Sequence, residues 1–214
     1  LRTRRGVSMD PYYLHLGQLA WGGRHYADAP GREHPDPGQA LDFRVEALVQ
    51  VIVRRYGYGG SDAVFDDLDA AHLMRVIDSR QGLPVAIGIL FIVTARALGW
   101  DISGLDFPGR FLVLLEAGGA RKILDPFAGG AEIKARDMRD MFKAVAGNHV
   151  ELTPGDYLDM SNRGILLRLQ GNIKSRLLRG KRWDDALEVI ETMTLFAPGE
   201  AELWREAGLL HNRL

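Results

Sequence analysis

From Leu83 to Ala95 the chain is apolar almost without a break: Leu-Pro-Val-Ala-Ile-Gly-Ile-Leu-Phe-Ile-Val-Thr-Ala. A span across a bilayer needs about 20 such residues, so this run is too short to be one. A helix that is apolar on every side must be surrounded on every side. It therefore belongs at the centre of a domain, and the rest of the chain has to wrap it. Gly99 is the stop residue expected just past its end. Two strand-like runs follow, Phe111–Glu116 and Arg121–Asp125. The Ala117-Gly-Gly-Ala120 between them is a turn signal, so the pair reads as a hairpin. A third strand is expected over Asp101–Phe107.

One buried helix followed by an antiparallel sheet is the core layout of the papain-like and transglutaminase-like folds. Transglutaminase-type proteins carry Gly-x-Cys-x3-Ala-x-Leu-Phe, with the nucleophile at the start of the central helix, and that helix ends in Arg-x-x-Gly. Gly82, Leu90-Phe91 and Arg96-Ala-Leu-Gly99 fit this register. More closely still, the segment resembles the bacterial SirB family, whose signatures are Arg-x-Gly-Ile-Pro, Pro-Gly-His-Phe and Asp-Pro-Phe-x-Gly-Gly. This chain has Arg80-Gln-Gly-Leu-Pro84, Pro108-Gly-Arg-Phe111 and Asp125-Pro-Phe-Ala-Gly-Gly130 in the same order. The resemblance runs from about Gly57 to the C-terminus. It implies an α+β fold with a transglutaminase/papain-like core, a buried central helix plus a small antiparallel sheet. On this reading residues 1–56 are an N-terminal helical cap, 57–160 the transglutaminase-like domain and 161–214 tetratricopeptide-like helices.

The same register predicts what the site lacks. Acyl transfer of the transglutaminase or papain type needs a thiol, an imidazole to deprotonate it and a carboxylate to orient the imidazole. The thiol position falls on Pro84, and the motif histidine is replaced by Arg110. A guanidinium stays charged at all working pH and cannot serve as a base. Only the acid, Asp125, survives. The chain has no cysteine at all, which removes disulfides, thiolate metal sites and thiol nucleophiles together. Ser79, Ser103 and Thr94 have no base nearby in sequence. The six histidines include no pair at zinc spacing, and His72 reads as a structural histidine. No Walker or dinucleotide glycine pattern occurs. The expectation is a degenerate, non-catalytic protein with no metal and no cofactor, acting as a scaffold or regulator for an unidentified protein partner. Arg80, Gln81, Gly82, Phe111, Phe127, Gly129 and Gly130 would line the degenerate cleft, and Trp204 and His211 would mark a contact surface in the tail. The competing reading is a hydrolase or ligand-binding protein using Arg110 and Asp125. An open polar cleft favours that alternative, and a cleft plugged by Phe111, Phe127 or the N-terminal loop favours the scaffold. Arg110 and Asp125 are expected to form an ion pair.

The remaining chain reads as helices and turns. A helix is expected over Pro11–Trp21, a Pro- and Gly-rich loop over Asp28–Gln39, and a helix over Ala40–Tyr56 with Leu41, Val45, Leu48 and Ile52 on one face. The aspartates after Ser61 lack the spacing of a calcium loop and read as caps. Further helices are expected over Asp69–Ser79 and over Ala135–Ala146, the latter with Met138, Met141, Phe142 and Val145 inward. In the tail the apolar stripes are Leu166/Leu169/Ile173/Leu177, Ala186/Ile190/Met193/Ala197 and Leu203/Ala207/Leu210/Leu214. Ala186, Pro198, Trp204 and Gly208 match tetratricopeptide positions; a plain helical hairpin is the alternative. Basic residues crowd 163–182 and acidic ones 184–206, as in two helices that attract each other or a basic patch for an acidic partner. The open face of the last helix would bury Trp204 in an assembled state, with a homodimer through the C-terminal helices as one form. A formal net charge of −1 gives no electrostatic drive toward nucleic acid or an anionic membrane. With no signal peptide and no run of membrane length, a cytoplasmic location is expected.

Overall fold

The computed structural model describes residues 7–27, 36–65 and 67–214. Most of the expected Asp28–Gln39 loop, together with Asp66, lies outside them. The elements in order are α1 (Asp10–Ala27), α2 (Pro37–Leu48), α3 (Leu73–Ser79), α4 (Pro84–Ala97), β1 (Asp101–Phe107), β2 (Arg110–Ala117), β3 (Ala120–Asp125), β4 (Ala131–Ile133), α5 (Ala135–Ala146), β5 (Leu158–Met160), α6 (Asn162–Arg179), α7 (Trp183–Phe196) and α8 (Ala201–His211).

The apolar run forms α4, and Val85, Ala86, Ile87, Leu90, Phe91, Ile92 and Ala95 are all buried. Full burial of one Val, Leu, Ile or Phe side chain contributes about 1.5–3 kcal/mol, so this helix anchors the core. The five strands form one antiparallel sheet in the order β4-β3-β2-β1-β5. Alternation along β2 splits its side chains between two layers. Phe111, Val113 and Leu115 join the core that contains α4. Leu112 and Leu114 join a second cluster with Leu105, Phe107, Met138 and Phe142, capped by α5. The larger core is continuous from Leu19 on α1 through α4 to α6, α7 and α8.

Several local expectations need correction. The first helix runs six residues past Trp21, to Ala27. The expected Ala40–Tyr56 helix starts at Pro37, capped by the Asp36 carboxylate, and its second half is a π-helix, Val49–Arg55. The expected Asp69–Ser79 helix is a 3₁₀ turn over Leu68–Ala71 and a separate α3, broken at His72, whose extended backbone caps α3. Val145, Leu166 and Leu214 are exposed, and Ile165 takes the core position expected of Leu166. The short strands β4 and β5 carry no alternation long enough to be read from sequence. In the tail α7 packs on both α6 and α8. The basic residues of α6 also reach back to the core: Arg168 bonds Asp106 and the carbonyls of Phe107 and Arg110, and Arg176 bonds the carbonyl of Phe65. Among the described residues no helix is long and apolar enough to cross a membrane.

Candidate functional site

Pro84 is the first residue of α4, with Leu83 as its extended N-cap. Its fixed φ and missing N–H suit that position, since the first helical N–H has no partner in any case. One turn on, Gly88 leaves bare backbone against β2: a Cβ there would lie 2.3 Å from the Phe111 ring. The start of β2 therefore lies against the first turns of α4. Arg110 opens β2 and Asp125 closes β3, and the pairing of Val113 with Leu124 puts both at the same end of the sheet.

The expected ion pair is present: Arg110 Nη1 donates to Asp125 Oδ2. The Asp125 side chain is 1% exposed and that of Arg110 47%. The other carboxylate oxygen, Oδ1, accepts the backbone N–H groups of Phe127 at 3.0 Å and Ala128 at 3.2 Å. Asp125-Pro-Phe-Ala-Gly-Gly130 is thus a carboxylate-capped turn of the Asx kind. It closes with Gly130 N–H donating to the Asp125 carbonyl at 2.9 Å. Gly130 has φ +78° and sits where a Cβ would meet Val49 at 2.8 Å and Phe91 at 3.2 Å, while Gly129 faces Val53. The turn is pressed onto α4 and the π-helix together.

Aromatic rings occupy the space around this centre. Phe111 is buried between Gly88, Gly104 and Ile165. Phe127 packs on Phe65, with ring centroids 5.3 Å apart, and on Gly60. Clefts of about 230 and 620 Å³, one between the tail and the 3₁₀ turn and one between the sheet and α5, are lined by residues other than Pro84, Arg110 and Asp125.

Arg80, Gln81 and Gly82 lie in a second constellation. Arg80 ends α3 in the left-handed region, with φ +63°, where a side chain is strained by about 1–2 kcal/mol. Its guanidinium bonds the Tyr58 hydroxyl and approaches His15 Nε2 at 2.9 Å. Tyr58 O–H lies 2.8 Å from the same His15 Nε2, and His15 Nδ1 lies 3.3 Å from Gln18 Oε1. One proton arrangement satisfies the chain: Arg80 donates to the phenol oxygen, the phenol to Nε2, and Nδ1–H to Gln18. It requires a neutral imidazole. Burial, with Arg80 beside it, pushes the His15 pKa below its ordinary value, and burial pushes that of Tyr58 up. Gln81 pairs with Gly59, and Gly82 packs on Val76 and Ile87. Sequence reasoning marked Arg80 but not His15 or Tyr58. They stand 65 and 22 residues from it, and only the fold joins them.

The tail residues make their contacts within the tail. Trp204 Nε1 donates to the Pro198 carbonyl at 2.9 Å, and His211 Nε2 lies 3.1 Å from Glu191 Oε1. In the single chain Trp204 is 56% exposed, against the burial expected of it in an assembled state. Among the described residues no group of three His, Asp or Glu side chains is placed to hold a metal ion.

A family model described as "Transglutaminase-like superfamily" matches residues 12–171. The match includes α1 and ends within α6. A UPF0162 protein of Xylella fastidiosa (strain 9a5c) is 28% identical over 180 residues, covering 80% of this chain and 62% of its own length. One from Vibrio cholerae is 28% identical over 172 residues, with 80% and 63% covered. Protein SirB1 of Salmonella typhimurium is 25% identical over 174 residues, with 81% and 64% covered. The chain thus spans a little under two thirds of the relatives it matches. No solved structure matches it. With the helix–sheet core, the Asp125 turn and the Arg80 motif all in register, the chain belongs to the transglutaminase-like superfamily and, within it, to the SirB family.

Proposed function

We propose that this is a non-catalytic transglutaminase-like protein that acts by binding other proteins, as a scaffold or regulator. The observation that supports it most is the state of Asp125. Its carboxylate accepts from Arg110 and from two backbone N–H groups, so it is engaged in holding a turn. Pro84 offers no nucleophile and Arg110 no base. The tail, read as tetratricopeptide-like helices over 161–214, supplies an exposed surface on α7 and α8 that includes Leu195, Trp204 and Leu209.

Two measurements test this. Amine incorporation and ammonia release on glutamine substrates should stay at background. Turnover that survives repurification and disappears in Asp125→Asn would promote the hydrolase reading. The degenerate-triad assignment is tested by the double variant Pro84→Cys, Arg110→His. A thiol at a helix N-terminus beside an imidazole should ionise well below the ordinary thiol value of about 8.5. If it alkylates with the pH profile of a free thiol, the three positions do not form a triad geometry. For the tail, deleting 201–214 should lower the mass in solution or the capture of a protein partner; no change in either removes α8 from the proposal.

A further inference from the structure

The Arg80 constellation opens onto a cleft of about 480 Å³ between the start of α1 and the end of α3. Small-ligand sites span about 300–1,000 Å³. The wall holds one cation and one anion, Arg80 and Asp78, and the two form no ion pair with each other. Arg80 Nη1 serves only uncharged partners, the Tyr58 hydroxyl and the neutral His15 ring. Its Nε and Nη2 make no hydrogen bond among the described residues, and neither is shut away from solvent. These two nitrogens are the parallel pair that matches the two oxygens of a carboxylate.

Asp78 is exposed, and its Oδ2 accepts the Tyr12 hydroxyl at 3.2 Å. Its Oδ1 has no partner among the described residues. Gln18, in the same wall, turns Oε1 toward His15 Nδ1, which leaves its amide N–H donors unused. Val7, Pro11 and Ile77 give the cleft an apolar side. A simple anion at Arg80 would also face the Asp78 carboxylate, and a simple cation at Asp78 would face the guanidinium. Each would gain one attraction and meet one repulsion. A molecule that carries both charges a few bonds apart gains both attractions.

We propose that this cleft binds a free α-amino acid with an apolar side chain. The carboxylate bonds Arg80 and the Gln18 amide, the ammonium bonds Asp78, and the side chain lies against Val7, Pro11 and Ile77. The inference does not depend on the centre around Asp125 being inert, nor on the tail.

The test titrates L-leucine into the isotope-labelled full chain at low salt and follows the Arg80 Nε–H, the Gln18 side-chain amide and the His15 ring. All three should shift saturably. Isocaproate is leucine without the ammonium, and isoamylamine is leucine without the carboxylate. Each should bind at least about tenfold more weakly. Asp78→Asn, a mild change at an exposed position, should weaken leucine binding about threefold and leave isocaproate binding undiminished, a split that general damage to the fold would not produce. Arg80→Lys keeps the charge but loses the fork, and should weaken leucine and isocaproate together by about tenfold. Should that variant fail to fold, the two fragments and Asp78→Asn decide the question. The proposal is overturned if leucine does not saturate, if either fragment matches it, or if Asp78→Asn binds leucine undiminished.

Discussion

Asp125 and Gln170 are both buried polar side chains, 1% and 6% exposed, yet their surroundings differ. Asp125 is met by a guanidinium and two backbone donors. Gln170 lines a cleft, but its Oε1 is enclosed and meets no donor. Asp125, at the position that family likeness marks as chemical, has its carboxylate engaged by its neighbours. Among the described residues two buried side-chain atoms lack a partner, Gln170 Oε1 on α6 and Thr94 Oγ1 on α4. In a buried setting a polar group that is fully engaged helps to fix the fold, whereas one left unengaged costs stability.

The largest effect should come from breaking the engaged side. Asp125→Ala removes the partner of Arg110 and orphans two N–H groups, at a cost of about 3–5 kcal/mol. Asp125→Asn keeps an oxygen for the turn and should lose less than half as much. Equal losses in urea-unfolding midpoints for the two variants would show that the ion pair, not the turn, is what matters. Next, Gly88→Ala forces a methyl against Phe111 and should cost about 1–3 kcal/mol through overpacking. A loss of only a few tenths would mean that the ring has room to retreat and that this region is less filled than the geometry indicates.

The third expectation concerns pH. His15 and His72 both have pKa values below the ordinary 6.5 in the folded chain. A histidine that resists protonation only when folded leaves the unfolded state binding more protons. Stability is then full above about pH 6.5 and falls as pH drops from there toward the lowered folded values. Thermal unfolding across this range should show the slope, and His15→Gln should reduce it while leaving the His72 share. The smallest effect is a control inside the filled core. Thr94 Oγ1 on α4 is buried and has no partner. Thr94→Val should be neutral or stabilise by about 1 kcal/mol. Gln170→Leu, which also removes an unpartnered oxygen, should behave likewise.

Much of the core was legible because it rests on local patterns. The unbroken apolar run sets α4, Gly118-Gly119 sets the β2–β3 turn, and the Asp125 motif and Arg110 announced their pairing. The Ala186/Ile190/Met193/Ala197 stripe is buried as its spacing predicts. What sequence reasoning missed depends on segments brought together by folding. The Arg80–Tyr58–His15 chain draws on three separate segments, and the surroundings of Gln170 are set by the 3₁₀ turn, α6 and α7 together. His72 interrupts a run that reads as one helix because its backbone is extended to cap α3, an effect that helical periodicity does not encode.

The π-helix from Val49 to Arg55 also makes chain length a structural quantity here. A π turn accommodates one residue more than an α turn. The wide turn serves two neighbours at once: Val49 and Val53 lie beneath the Gly129–Gly130 turn, while Val51 meets Gly22 on α1. Forcing all seven residues of this stretch to wind as an ordinary α-helix would rotate everything beyond it by about 100°. Tyr58 would swing away from Arg80, and the Asp125 turn would lose the surface on which it rests. The side chains could all be retained and the core still undone, because what this segment contributes is a count of residues rather than their identity.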